Sequence, residues 1–297
     1  MTLAAWVLAY KMTSLGTATV CRLVEQALWF LFINALIGLT ELRLFNQMSS
    51  KPVGLFSEPS HLALILAPLL VYACAVELRW HRFFIMFFFL WGLLIQNLTT
   101  LSVVILSFMV LFRFNPPRVL IVILLAGGLV ISDLEYFTSR LLISSESENL
   151  SVLVFLQGWE IAKEMLNETS YWGAGFQQFG FLNISNDISN KISLLNEENL
   201  NLFDGGSTAS KLVGEFGIYA IAGLLIYIVF FFWAFGQLRN AHANRISGGR
   251  LFFISCLFAF VIELFIRGVG YFSPTCFLAL SAVMGLANTP RLYTRHI

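Results

Sequence analysis

Charge is scarce in this chain. Asp, Glu, Lys and Arg make up 12% of its 297 residues and hydrophobic residues 58%, against about 25% and 45 to 50% in ordinary soluble domains. A soluble globular fold is excluded on that balance, and a net charge of +1 says nothing about nucleic acid. Cysteine is thin as well. Cys21, Cys74, Cys256 and Cys276 stand in apolar surroundings with no C-x-x-C or histidine spacing, so neither a disulfide framework nor a zinc site follows. No D-x-D pair and no cluster of His, Cys and carboxylates points to a tightly held metal. Nucleotide motifs fail too. Gly175-Phe-Gln-Gln-Phe-Gly180 has the spacing of a phosphate loop, but Phe181 stands where Lys would meet phosphate, and Gly173-x-Gly175 lacks the third glycine of a dinucleotide fingerprint.

What is present is apolar length. Mean hydropathy is +0.79, and hydrophobic runs predict spans near Val20 to Leu39, Leu62 to Val76, Val119 to Ser132, Leu212 to Phe235, Leu251 to Ile266 and Ser273 to Ala287. Met1 to Tyr10 is too short for a full span and lacks the basic flank and cleavage site of a signal peptide, so it reads as a clipped first helix. Phe83 to Phe112, as one helix, would be about 45 Å long, well over a hydrocarbon core of about 30 Å. Splitting it at Gln96-Asn97-Leu98-Thr99-Thr100 gathers Arg79, Arg82, Arg113, Arg118, Arg239, Arg245, Arg250, Arg291 and Arg295 on one side, the cytoplasmic one by the positive-inside rule. The fold expected is all-α: a polytopic helical transmembrane protein with about eight spans. Residues 1–132 are transmembrane helices with an outward 40–60 loop, 133–210 one large periplasmic segment, and 211–297 transmembrane helices again.

The large segment carries about eleven Asp and Glu against Arg140, Lys163 and Lys191, the reverse of the inner loops. Leu150, Leu153, Val154, Gln157, Ile161 and Met165 recur at helical spacing, which predicts an amphipathic helix near 150–167, on or above the membrane. Asn183 to Asn201, rich in Asn, Ser and Asp, reads as loop.

Several residues at the outer face can carry chemistry. Glu58 and His61 flank Pro59 at the mouth of a span and share a face if a helix starts there; Glu58 also suits a helix cap, whereas His61 suits proton transfer. Arg267 lies where one helix ends and another begins, either snorkelling with Glu263 in support or clamping a diphosphate. Arg140 is a lone cation in the acidic segment, a surface charge or a contact for a phosphorylated lipid. Gly205-Gly206-Ser207, Lys211 and Glu215 open the span after the long segment, as a flexible loop with a cap or as a helix N-terminus that favours an anion.

Four stretches together resemble the O-antigen polymerase (Wzy) and O-antigen ligase group of bacterial envelope glycosyltransferases. They are Gly54 to His61, Leu153 to Glu160 followed by Gly173 to Gly180, Ser207 to Gly217 with its Gly-Glu-Phe-Gly, and Ile266 to Ser273 with Arg267 and Tyr271. The resemblance covers roughly residues 50–290 and implies a multi-pass enzyme of the bacterial inner membrane acting in lipopolysaccharide or other polysaccharide biosynthesis. Its partners would be undecaprenyl diphosphate-linked oligosaccharide, membrane lipid and a chain-length regulator protein, with no cofactor, metal or nucleic acid. The reaction implied joins lipid-linked repeat units. Glu58 or His61 would take the acceptor proton, Arg140 and Arg267 would hold the diphosphate, and Lys211, Glu215, Glu263 and Tyr271 would support them. The ligase branch uses a histidine in the large segment, whereas His61 precedes a span, which favours polymerase. A ligase passing glycan to lipid A-core, or a flippase for lipid-linked oligosaccharide, are the alternatives; a flippase would be expected to line a central cavity with charge.

Overall fold

The computed structural model describes residues 1–40, 53–111, 144–181, 187–196, 202–241 and 246–288. Among them the regular structure is helical, with an isolated bridge between Val53 and Phe56 and no strand. The helices are α1 (Thr2–Ser14), α2 (Thr17–Leu39), α3 (Pro59–Ala75), α4 (His81–Leu94), α5 (Leu98–Leu111), α6 (Leu150–Glu168), α7 (Asp187–Asn196), α8 (Thr208–Arg239), α9 (Gly248–Ala259), α10 (Val261–Phe265) and α11 (Pro274–Asn288). Three stretches are long and apolar enough to cross a membrane: α2, α8, and Gly248–Phe265, which joins α9 and α10. The helices α3, α4, α5 and α11 are apolar but shorter. The span predicted at Val119 to Ser132 lies outside the described residues, as does Arg140.

The chain forms two compact units. One comprises Met1–Phe114, Phe230–Ile262 and Phe272–Ile297; the other comprises Asn115–Val229 and the short return Glu263–Tyr271.

In the first unit α3 is the central helix, packed against α2, α4, α5, α9 and α11. It is hydrophobic all round, as a helix buried on every side must be, with Leu62, Leu66, Leu70 and Val71 fully enclosed. Ser60, Ala63 and Ala67 supply the small residues that let helices approach when lipid rather than water is the surrounding solvent. The long apolar stretch that starts at Phe83 is, as far as Leu111, two helices, α4 and α5. Their turn passes through Gln96 at positive φ, and Asn97 Oδ1 accepts from the N–H and the hydroxyl of Thr100 to start α5. Trp29 and Phe32 of α2 meet Phe83, Phe84 and Phe87 of α4 ring against ring, and Trp91 Nε1 donates to the carbonyl of Ala35 at 3.0 Å.

In the second unit α6 matches its expected position and buries the face read from the sequence: Leu153, Val154, Gln157, Ile161 and Met165. Asn149 caps it by accepting the Ser151 N–H at 3.1 Å. The Asn183 to Asn201 stretch is not all loop, because α7 occupies its middle. Its composition disfavours helix, but Ile188 and Ile192, four apart, bury against Leu153 and Val154, and Ser189 Oγ accepts from Gln157 Nε2 at 2.9 Å. Packing overrides propensity there. Across this contact Glu160 titrates above the ordinary carboxylate range, through burial first and then the like charges of Glu164 and Asp187, with Lys163 acting the other way.

Candidate active site

The second unit is organised by a break in α8. At Gly217 the backbone turns to φ 54°, ψ −131°, and a Cβ there would lie 2.0 Å from the Tyr171 carbonyl oxygen, so only glycine fits. An unbroken helix would satisfy the carbonyls of Gly214 and Glu215 from Ile218 and Tyr219. Here Ala174 N–H donates to the Gly214 carbonyl at 3.0 Å and Gly175 N–H to that of Glu215 at 2.9 Å, while Ile218 N–H donates to the Tyr171 carbonyl at 3.0 Å. The Gly-Ala-Gly and Gly-Glu-Phe-Gly motifs are thus two halves of one junction.

The Glu215 side chain, 1% exposed, continues the same stitching. Its Oε2 accepts from Gln177 N–H at 3.0 Å and from the Tyr271 hydroxyl at 2.8 Å, and its Oε1 accepts from Phe179 N–H at 3.1 Å. Three donors offset the desolvation of the carboxylate. Tyr271 in turn stacks on Phe176, 5.5 Å between centroids.

One helical turn earlier, Lys211 is also buried. Its Nζ donates to the Phe203 carbonyl at 2.7 Å, lies 3.7 Å from Asp204 Oδ1 and stands 5.1 Å from the centre of the Tyr271 ring. The Asp204 side chain is 44% exposed, so its carboxylate is the solvent-facing end of this ion pair.

The turn carrying Arg267 is fixed by Gly268, whose N–H donates to the Gly206 carbonyl at 3.0 Å. Arg267 is half-buried and lies past the end of α10, which holds the fully buried Glu263. At the start of α8, Ser207 Oγ accepts from Ser210 N–H at 3.3 Å, an ordinary cap. The Gly268 backbone covers this end so closely that a Cβ there would lie 2.3 Å from Thr208 N. Of the two readings of Gly205-Gly206-Ser207, the capped loop is the one realised, and the helix end is not an open seat for an anion. Gly158 of α6 lies under the same loop: a Cβ on it would be 1.8 Å from the Gly205 carbonyl oxygen.

Glu58 and His61 belong to the first unit. The helix does begin at Pro59 with Glu58 as its N-cap residue, but the Glu58 side chain makes no capping bond. Its Oε2 accepts from Ser60 Oγ at 2.9 Å, and His61 Nδ1 shares a 2.8 Å hydrogen bond with Ser57 Oγ. Both side chains are half-buried. The preceding Gly54-Leu-Phe turn docks on α2 where Leu55 N–H donates to Asn34 Oδ1 at 3.1 Å, while Nδ2 of that buried asparagine donates to the Phe30 carbonyl at 2.9 Å.

Of the residues singled out in the sequence, the structure therefore joins Lys211, Glu215 and Tyr271 directly, and places Arg267 and Glu263 in the same unit. Asp204 and Gly158 were not singled out. A glycine on the apolar face of an otherwise regular helix was the available signal for Gly158; the Asp204 to Lys211 pair crosses a helix start and has no periodic signature. Among the described residues, no group of three or more His, Cys, Asp or Glu could hold a metal ion. Comparison of the chain with protein-family models, curated proteins and solved structures returned no match.

Proposed function

We propose that this chain is a polymerase of lipid-linked oligosaccharides: a multi-pass protein of the bacterial inner membrane, with about eight spans, that joins undecaprenyl diphosphate-linked repeat units at the periplasmic face. One observation carries the reading. Two stretches that underlie the family resemblance, Gly173 to Gly180 and Ser207 to Gly217, and the Ile266 to Tyr271 part of a third, Ile266 to Ser273, are far apart in sequence yet are bound into one cluster by Glu215, Lys211 and the Gly206 to Gly268 hydrogen bond.

The chemistry asks for two things. An acceptor hydroxyl attacks the anomeric carbon of the donor glycan, and the bond from that carbon to the diphosphate oxygen breaks, with its electron pair leaving on the diphosphate. That charge needs a fixed cation, which suits the guanidinium of Arg267 with Arg140 as a second. The acceptor proton needs a base, which suits Glu58 or the His61 imidazole oriented by Ser57. Lys211, Glu215 and Tyr271 then act as positioning residues that hold the 263–271 turn. No nucleotide sugar, metal or cofactor enters this scheme.

The test is the surface polysaccharide of cells lacking the gene. Loss of long chains, with single repeat units still attached to the lipid anchor, supports a polymerase. Polymer accumulating on undecaprenyl diphosphate with none attached points to a ligase, and repeat units trapped on the cytoplasmic side point to a flippase.

A further inference from the structure

Gly217 divides α8 into two environments. Before it Lys211, Val213 and Glu215 are buried; after it Ile218 is 57% exposed, Tyr219 65%, Leu225 60%, Ile226 58%, Val229 70% and Phe232 64%. No charged residue occurs from Ile218 until Arg239. At 1.5 Å per residue that stretch is about 32 Å long, close to the hydrocarbon thickness of a bilayer, about 30 Å. An exposed apolar surface of this length has one fitting solvent, lipid acyl chain.

The loop before α7 is tied to the first exposed turn. Tyr171 accepts the Ile218 N–H through its carbonyl, and the Trp172 ring lies 5.8 Å from that of Tyr219. Tyr171, Trp172 and Phe176 are 60%, 64% and 55% exposed, whereas Asn167 and Glu168, just before them at the end of α6, are polar and exposed. Rings that combine an apolar body with a polar edge collect at the headgroup layer.

We propose that Gly217 marks one boundary of the bilayer's hydrocarbon core, and that the Tyr171 to Phe176 loop lies in the phospholipid headgroup layer as an aromatic anchor. Glu215 then stands two residues outside that boundary, at the depth of a phosphorylated headgroup. The inference is independent of the chain's activity, since it rests on exposure, length and residue type alone.

The test is depth-dependent quenching of tryptophan emission in the full chain, reconstituted in phosphatidylcholine vesicles carrying a nitroxide either near the headgroup or near the chain end. The emission lost in Trp172→Phe reports Trp172. It should be quenched most by the shallow nitroxide and little by aqueous iodide. Strong iodide quenching without lipid quenching would put the loop in water and overturn the proposal, and stronger quenching by the deep probe would displace the boundary and overturn it as well. If Trp172→Phe does not fold, the emission gained in Tyr219→Trp and in Val229→Trp gives the same answer: shallow quenching for the first and deep for the second support the boundary, and equal quenching of the two contradicts it.

Discussion

Glu215 is the residue on which the second unit turns, because its carboxylate accepts from two backbone amides and one hydroxyl in a buried place. Glu215→Gln keeps the shape but sets an NH2 against N–H donors, and hydrogen bonds to a charged group contribute about 1.5 to 3 kcal/mol each. Tyr271→Phe removes a single donor. The glutamine variant should therefore lower the unfolding temperature in detergent further than the phenylalanine variant, and the double variant should cost less than the two singles added, since both disturb one network. Glu160 gives the opposite sign. Its folded-state pKa is raised, so the native state holds the proton more tightly than the unfolded chain, and stability falls as pH rises through the raised value. Glu160→Gln should stabilise the protein modestly at neutral pH, as befits a half-exposed site, and leave it unchanged below the ordinary carboxylate range. A pH series of unfolding temperatures checks both arms. These residues also mark what sequence can reveal at this scale: Lys211, Glu215 and Tyr271 were each visible as polar groups in apolar company, but the Tyr271 hydroxyl meets a carboxylate 56 positions away, which no local pattern encodes.

Among the elements, α6 and the division of α4 from α5 were legible, the first from its 3.6-residue spacing and the second from bilayer thickness and arginine placement. The break in α8 was not. Phe216 and Ile218 on either side of Gly217 are apolar, and the hydrogen bonds that replace the helical ones come from Ala174 and Gly175 about forty positions earlier. The helix α7 was missed for a related reason, because its two buried isoleucines gain their value only against α6. Gly217→Ala tests the break. A Cβ would clash with the Tyr171 carbonyl in a backbone conformation that alanine avoids, so a loss of about 3 kcal/mol or more is expected. It should be read as faster proteolysis within the 171–181 loop, with cleavage in the first unit unchanged.

For the whole molecule, composition alone pointed to a membrane protein of helices, and the three long apolar stretches agree with it. The orientation rests on arginine placement and is checked at the α4 to α5 turn, where Leu94 is 70% exposed. A cysteine in its place should react with an impermeant maleimide added to spheroplasts, and labelling only after lysis would invert the topology. Joining function to this frame takes one experiment: the polysaccharide length profile of gene-deleted cells complemented with wild type, Arg267→Ala or Arg267→Lys, each shown to be stably present in the membrane. The alanine variant should leave single repeat units on the lipid anchor and no long chains, with partial recovery in the lysine variant, which keeps the charge but not the two-pronged contact. Full-length chains from a stable Arg267→Ala protein would contradict this role for Arg267.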